Sequence, residues 1–296
     1  MAKNLPRSSL SLYLNSGSIL VTSIWVLAFF IILTIGLYSI VSSQIRLAGR
    51  FQHIVLGQHL ARSTCVYALA RRREDKATYD VFYKLRQKQK IELGIGESAY
   101  TLIDEESKIN INVASGEIIK KLLETAAGLS EASAQELSEA LVNYRSEHPF
   151  NLKEELLNIE GVKEDIFNAC KDYITVYGKG EININTASPE VLRAFGLEDG
   201  MVEAVVNFRL GSDGKEETED DGYFENAGEV IEKLRSFKML SDKEEAELVS
   251  LVSGNTIIVK SGDFTLQIET KIVGKPGMNY RIVIDSKNKI REWAEY

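Results

Sequence analysis

The chain has 296 residues and a formal net charge of −8, and its charges are distributed unevenly. Residues 1–73 hold eight Lys and Arg residues and no acidic residue, so all 43 acidic residues lie from residue 74 onward, against 27 basic residues. Phosphate binding needs a basic face, so this balance argues against a nucleic acid partner. The sequence has no Walker A loop, Gly-x-Ser-x-Gly elbow or His-Glu-x-x-His motif, and we therefore expect no enzymatic activity.

A long apolar segment follows a short basic leader. Residues 8–45 contain no Lys, Arg, Asp or Glu, and residues 18–41 read SILVTSIWVLAFFIILTIGLYSIV. A helix of this length spans about 36 Å, which is enough to cross the hydrocarbon core of a bilayer. Lys3 and Arg7 precede the segment and Arg46 and Arg50 follow it, so the positive-inside rule does not decide its orientation.

Two small residues, Gly17 and Ser18, lie directly before the apolar segment. A secretory signal is cleaved after its apolar region, whereas cleavage between Gly17 and Ser18 removes the leader and keeps the apolar helix. This order resembles a type IV prepilin or pseudopilin. The alternative is a signal-anchored membrane protein in which Gly17 is incidental. Most pilins carry Glu at the fifth position after the cut, where this chain has Thr22.

Beyond the membrane segment, the pattern predicts a helix and then short strands. Residues 45–72 continue the helix, with apolar or small residues mostly three or four apart, a stripe that packs under a β-sheet in a pilin-like protein. Residues 71–90 are rich in charge and predict a solvated helix end or a second helix. Short strands are predicted at residues 91–96, 100–104 and 109–112.

An internal repeat comes next. KININVASGEIIKKLLE begins at Lys108 and EININTASPEVLRAFG begins at Glu181, with the two Ile-Asn-Ile-Asn cores offset by 73 residues. Ser115 and Ser188 are predicted to cap the helices that follow, and Pro189 suits the first helical position. The offset exceeds the usual period of a solenoid, so we expect a duplicated motif and not a repeat array.

The chain between and after the two copies has helical periodicity. Residues 151–170 and 185–209 each predict helix, turn, helix, which is similar to the helix-hairpin-helix unit of DNA-binding proteins. Lys163 stands where the first hairpin needs its second glycine, and residues 115–253 carry 30 acidic residues against 14 basic ones. We therefore interpret the hairpins as a packing arrangement, with DNA binding as the alternative.

The last segments have strand composition, at residues 256–260, 264–273, 280–285 and 290–293. Strands on both sides of a helical block predict an α+β fold, in which a pilin-like N-terminal transmembrane helix packs on a small antiparallel sheet and a large all-α domain with helix-hairpin-helix-like units is inserted. The expected divisions are a leader at 1–17, a transmembrane helix at 18–44, a discontinuous pilin-like domain at 45–114 and 254–296, and the insertion at 115–253.

These features in this order resemble general secretion pathway protein K of type II secretion systems, a pseudopilin family that characteristically lacks the Glu replaced here by Thr22. The resemblance implies a minor pseudopilin at the tip of a periplasmic fibre, which initiates fibre assembly for protein export across the outer membrane. It implies cleavage after Gly17 and N-methylation of Ser18 by the prepilin peptidase. The implied partners are other minor pseudopilins, the major pseudopilin and inner membrane lipid, but no nucleic acid. The chain is expected to be single-pass in the inner membrane, with residues 46–296 in the periplasm.

Two other functions stay open from the sequence: a minor pilin of a type IV pilus, which shares processing and fold, and a membrane-tethered helix-hairpin-helix protein that binds DNA. Some members of the pseudopilin family bind calcium through an acidic stretch, but this chain has Leu-Val-Asn-Tyr-Arg-Ser at the comparable place, residues 141–146, which argues against that calcium site here.

An acidic loop occurs later, at residues 211–222. Its carboxylates offer hard oxygen ligands for calcium, although their spacing is not that of an EF-hand and a solvated loop is the alternative. These candidate ligands are Asp213, Glu217, Glu219, Asp220 and Asp221. Two cysteines, Cys65 and Cys170, either form a disulfide in an oxidising compartment or stay as buried thiols.

Overall fold

The computed structural model describes residues 10–215, 218–237 and 239–296. Its α-helices in these ranges are α1 Leu10–Glu74, α2 Phe82–Arg86, α3 Gly116–Ala127, α4 Glu131–Glu147, α5 Glu164–Cys170, α6 Pro189–Ala194, α7 Asp199–Arg209, α8 Val230–Phe237 and α9 Asp242–Ser253. Its strands are β1 Gln89–Leu93, β2 Gly96–Asp104, β3 Ile109–Asn110, β4 Ile174–Thr175, β5 Ile182–Asn183, β6 Ile257–Ile258, β7 Phe264–Ile272, β8 Met278–Ile284 and β9 Ile290–Glu295. Short 3₁₀ helices span Lys153–Asn158 and Ala227–Glu229.

The chain divides into one compact unit that ends at Gln58 and a second that spans His59–Tyr296. The first unit belongs to α1, and its large apolar side chains, such as Trp25 and Ile32, are exposed. Within the described residues, α1 is one helix that is long and apolar enough to cross a membrane, with a mean hydropathy of 2.6 in its most apolar window. This part of the chain fits a single-pass membrane anchor.

A five-stranded antiparallel sheet lies in the second unit, in the order β1-β2-β7-β8-β9. The long pairing of β2 with β7 runs from Gly96 opposite Ile272 to Asp104 opposite Phe264. A side chain at residue 96 has no room, because a Cβ atom there would lie 2.4 Å from the carbonyl oxygen of Lys271. β1 and β2 precede the helical insertion and β7, β8 and β9 follow it, so the predicted interrupted sheet is confirmed.

The upper part of α1 covers one face of this sheet. Ala61, Cys65 and Ala68 are buried against alternate residues of the strands, which are Tyr100, Leu266, Ile268, Tyr280, Ile282 and Ile284. The alternation arises because successive side chains of a strand point to opposite faces. Burying each large aliphatic side chain contributes about 1.5–3 kcal/mol. The predicted helix on a small antiparallel sheet is therefore present.

The insertion has its own hydrophobic core, which includes buried residues from Ile109 to Val259. It consists of two successive segments with a similar order of elements: a short strand, two helices, a 3₁₀ segment, a further helix and a closing strand, with one extra helix in the second segment, where both α8 and α9 follow the 3₁₀ helix. The first repeat unit, residues 109–175, closes by parallel pairing of β3 with β4. The second repeat unit, residues 182–258, closes by parallel pairing of β5 with β6. The duplication therefore covers both whole units and not only the Ile-Asn-Ile-Asn segments.

Several local predictions differ from the structure. β2 is continuous from Gly96, because the hairpin turns at residues 94–95, so the predicted break between residues 96 and 100 is wrong. The segment Lys153–Asn158 is a 3₁₀ helix and not an α-helix. The predicted strand at 256–260 contains only β6, which pairs with β5 and not with the five-stranded sheet. The domain bounds stay a prediction.

Candidate functional site

The predicted cleavage junction lies inside a continuous helix. Gly17 and Ser18 both belong to α1, and the apolar side chain that follows them, Ile19, is exposed. The basic leader residues Lys3 and Arg7 lie outside the described residues. The roles of Gly17 and Ser18 in processing stay predictions.

Thr22 forms hydrogen bonds within α1. Its hydroxyl lies 3.0 Å from the carbonyl oxygen of Ser18 and 2.9 Å from that of Ile19. A hydroxyl in hydrocarbon needs such a partner, and the backbone of the preceding turn supplies it. Thr22 therefore lies in the helix without a charge, whereas a Glu at this position would need a partner for its carboxylate.

The candidate calcium loop binds its own backbone. One oxygen of Asp220 accepts hydrogen bonds from the hydroxyl and the N–H of Ser212, at 2.7 and 2.8 Å, and from the N–H of Asp213, at 3.0 Å. The bond from the Ser212 hydroxyl, with a further one from Thr218, holds the pKa of Asp220 well below its usual range. Asp221 accepts from the hydroxyl and the N–H of Thr218.

Glu217 lies outside the described residues. Among the residues that the structure does describe, no group of three or more His, Cys, Asp and Glu side chains is arranged to hold a metal ion. The calcium site stays a prediction.

The two Ile-Asn-Ile-Asn segments each clamp a Phe backbone. Asn112 donates to the carbonyl oxygen of Phe150 at 2.9 Å and accepts from its N–H at 2.8 Å. Asn185 makes the same pair of bonds with Phe224, also at 2.9 and 2.8 Å. The first Asn of each segment, Asn110 or Asn183, accepts the backbone N–H of the second. The two Asn residues of each Ile-Asn-Ile-Asn segment therefore make the same hydrogen bonds in both repeat units, and these bonds tie the start of each unit to a Phe backbone later in it.

Each repeat unit also contains an arginine that donates to a backbone carbonyl oxygen near the start of the unit. Arg145 at the end of α4 donates to the carbonyl oxygen of Ile111 at 2.6 Å, and Arg209 at the end of α7 donates to that of Ala187 at 2.5 Å. Ser115 and Ser188 cap α3 and α6 by accepting backbone N–H groups, and Pro189 is the first residue of α6, as predicted. These contacts assign the repeated residues to packing within the insertion.

The hairpin turns of the first repeat unit are glycine turns beside acidic residues. Gly128 ends α3 with φ 65°, and Gly161 has φ 93°, a conformation that favours glycine. The next helices begin with Glu131 and with Glu164 and Asp165. Carboxylates at these helix starts repel phosphate, so the geometry of the hairpins is present without the charge that DNA binding needs.

A buried polar network lies where the chain passes between the sheet and the insertion. The side-chain amide nitrogen of Asn183, which is fully buried, lies 2.9–3.0 Å from acceptor oxygens of Asp80, Asp104 and Ser261, which share its two hydrogens. Arg72 at the end of α1 donates to the other oxygen of Asp80 at 2.6 Å. The network joins α1 and the end of β2 to the second repeat unit. The sequence analysis did not identify it, because Asp80 lies in a charge-rich segment that predicts exposure.

Burial and neighbouring charges shift the acidities in this network. Burial, helped by the charge of Asp80, raises the pKa of Asp104 to about 6. Burial, helped by Asp104 and Asp263, raises the pKa of Glu106 to about 8. Burial acts in the same direction on Glu105, but Lys108 and the hydroxyls of Thr175 and Thr265 outweigh it and lower the pKa. Adjacent carboxylates therefore have opposite shifts.

Both cysteines are free and buried. Cys65 belongs to the core under the sheet and Cys170 to the core of the insertion. Burial raises the pKa of both thiols, to about 11 for Cys170. The structure thus has the two buried thiols and not the disulfide.

Comparison with known proteins agrees with this geometry. One chain of the crystal structure of the GspK-GspI-GspJ complex from the enterotoxigenic Escherichia coli type 2 secretion system superposes with a TM-score of 0.61 and 13% sequence identity. The alignment covers 85% of this chain and 97% of that chain. The chain shares the fold of GspK. The helix-hairpin-helix motif family matches residues 104–175, which contain the first repeat unit. Among curated proteins, the sequence comparison finds no match.

Proposed function

We propose that the chain is a minor pseudopilin of a type II secretion system, located at the tip of the pseudopilus, where it initiates assembly. The observation that carries this proposal is the fold shared with GspK over 97% of the GspK chain, including the helical insertion. The apolar part of α1, from Ser18 onward, adds the anchor that a pseudopilin needs. The role is structural, and we infer no catalysis.

Partners and location follow from the same proposal. GspK was crystallised with GspI and GspJ, so we propose that this chain also binds other minor pseudopilins. The major pseudopilin and the prepilin peptidase are further proposed partners, and the apolar helix is proposed to lie in inner membrane lipid with residues 46–296 in the periplasm. The size of the insertion supports the tip position, because such a block is too bulky for every subunit of a tightly packed helical fibre.

Processing at Gly17 gives a direct test. Mass spectrometry of the mature protein should find Ser18, N-methylated, as the first residue. A Gly17→Leu variant should stay uncut in the membrane, because the peptidase needs a small residue before the cut. Gly36→Leu is the matched control, since Gly36 lies in the same helix with open space around it, and this variant should be processed normally. A mature terminus at Met1, or beyond Val41, would contradict the proposal.

The family match to the helix-hairpin-helix motif keeps DNA binding as a second candidate function. If the chain binds DNA, the purified full-length protein in detergent should slow the electrophoretic migration of labelled duplex DNA at physiological salt. The acidic balance of the insertion argues against DNA binding, and we expect none.

The neighbouring genes distinguish a pseudopilin from a minor pilin of a type IV pilus. An outer-membrane secretin gene beside major pseudopilin genes favours the secretion system, and a gene for a retraction ATPase favours the pilus.

A further inference from the structure

Three linkers of the chain meet at one place in the second compact unit. The outgoing linker, residues 105–108, leads from β2 to the first repeat unit. The middle linker, residues 176–181, joins the two repeat units, and the return linker, residues 259–263, leads from β6 back to β7. The position of the insertion on the sheet depends on the contacts among these linkers.

Carboxylates make those contacts. The N–H of Asp263, in the return linker, donates to Glu106 of the outgoing linker at 3.1 Å. The N–H of Gly178, in the middle linker, donates to Asp263 at 3.2 Å. Asp104, at the end of β2, accepts from Asn183 at 2.9 Å and from Thr186 at 2.5 Å, both in the second repeat unit. We call Asp104, Glu106 and Asp263 the linker carboxylates.

Among the residues that the structure describes, no cation pairs with the linker carboxylates. Asp104 and Glu106 are only 3% and 4% exposed, and Asp263 is partly buried. The two nearby acids that have a cation are Asp80, which pairs with Arg72, and Glu105, which pairs with Lys108. In the described ranges, no Lys or Arg nitrogen lies within 4.0 Å of a linker carboxylate. A buried carboxylate without a partner charge is unstable in its ionised form, so a proton is favoured there.

We propose that the junction between sheet and insertion is a proton-dependent latch, in which the linker carboxylates hold the three linkers together when Glu106 is protonated and loosen them when it is ionised. A protonated Glu106 adds no charge beside Asp104 and Asp263. An ionised Glu106 places a third negative charge in a site that is largely shielded from solvent, and the three carboxylates then repel one another. The latch is independent of the proposed function, because it rests only on contacts within this chain.

The surroundings of Glu106 set the direction of the effect. The charged groups on the elements packed around it are the acids Asp80, Asp104, Glu105, Glu181 and Asp263, the Arg72 and Lys108 cations that already have acidic partners, Lys179 in the middle linker and Lys260 in the return linker. Because the pKa of Glu106 rises from 4.5 to about 8 in the folded protein, its contribution to stability is complete below pH 4.5 and is lost as the pH rises through 8. Asp104, with a pKa of about 6, acts in the same direction between pH 3.8 and 6.

Hydrogen exchange of the full-length protein in detergent tests the latch. The opening equilibrium of residues 105–110 and 259–264, corrected for the intrinsic pH dependence of exchange, should rise by several hundredfold to about a thousandfold between pH 5.5 and 8.5. Glu106→Gln mimics the protonated form and should reduce this rise to less than about tenfold, leaving the part due to Asp104. The matched control Glu97→Gln, at an exposed position of β2, should keep the wild-type rise.

Three results would overturn the latch. The first is equal exchange of the wild-type junction at both pH values after correction, and the second is an unchanged pH dependence in Glu106→Gln. The third is protection restored by calcium at pH 8.5 in the wild type but not in Glu106→Gln, which would assign the site to a cation instead of a proton. If Glu106→Gln fails to fold, carbon NMR of the wild type labelled at Glu carboxyl groups decides the matter: one Glu that titrates near pH 8 supports the latch, and none above pH 6 refutes it.

Discussion

Replacing Asn185 with Ala should destabilise the protein far more than the same change at Asn112, although the two residues make equivalent clamps. Asn185 is 2% exposed, and its side chain serves both the N–H and the carbonyl oxygen of Phe224, a residue with no exposed surface. Ala removes both partners at once. Each buried backbone group left without a hydrogen bond costs about 1–3 kcal/mol, so the expected loss for the two groups is roughly 2–6 kcal/mol. The third bond of Asn185, to the carbonyl oxygen of Val259, adds little, because the N–H of Asp80 also donates to that oxygen.

Asn112 is partly exposed, so water can replace part of its clamp on Phe150. The expected loss for Asn112→Ala is about 1–2 kcal/mol. Asn279→Ala is the control, since the side chain of Asn279 is exposed on β8. The N–H of Tyr296 donates to the backbone carbonyl oxygen of Asn279, which the substitution keeps. The stability of this variant should change by less than about 0.5 kcal/mol.

Urea unfolding of the full-length proteins in detergent, followed by far-UV circular dichroism, measures the three free energies. Hydrogen exchange at Phe224 and Phe150 then shows whether the loss is local to the clamped residue. An Asn185→Ala protein within error of Asn112→Ala would refute the reasoning, because it would mean that burial of the clamp does not set its contribution. A large effect of Asn279→Ala would show that the measurement does not report on the clamps.

Two further predictions follow from the acidic loop and the cysteines. If residues 213–221 bind calcium, saturation at a hundredfold excess over Kd stabilises by about 2.7 kcal/mol and raises Tm by roughly 5–10 °C, and Glu219→Gln should abolish the rise; equal Tm with calcium and with chelator would leave a solvated loop. Cys65 and Cys170 should give the same intact mass with and without reductant, and both should react with a maleimide only after unfolding, since burial raises the pKa of each thiol and limits access. A mass lower by two hydrogens without reductant would show a disulfide instead.

Local signals in the sequence were sufficient to predict much of the fold. Ser115, Ser188 and Pro189 mark helix starts through the chemistry of their own side chains, and the structure has each of them in that role. The Ile-Asn-Ile-Asn repeat indicated a duplication. Its full extent was not predictable, because the closing strands β4 and β6 have only two residues each and carry no periodicity. Their pairing depends on a return of the chain after about 65 to 75 residues, which local patterns do not encode.

The buried network could not be predicted for a related reason. Asp80, Asp104 and Glu106 are charged residues, and charge predicts exposure. They are buried because linkers that are far apart in the chain converge on them, and Arg72, Asn183 and Ser261 supply partners from three different segments. Charged pairs and networks of this kind become visible only when the tertiary contacts are known.

Counting the protein along isolated fibres tests the central claim most directly. Fibres sheared from cells should be labelled at an epitope in the insertion and imaged, and the ratio of this chain to the major subunit should be measured by quantitative mass spectrometry. The account predicts label at one end of each fibre and a content of about one copy per fibre, because the insertion is too large for internal positions. Label spaced regularly along the fibres, in amounts that match the major subunit, would contradict it.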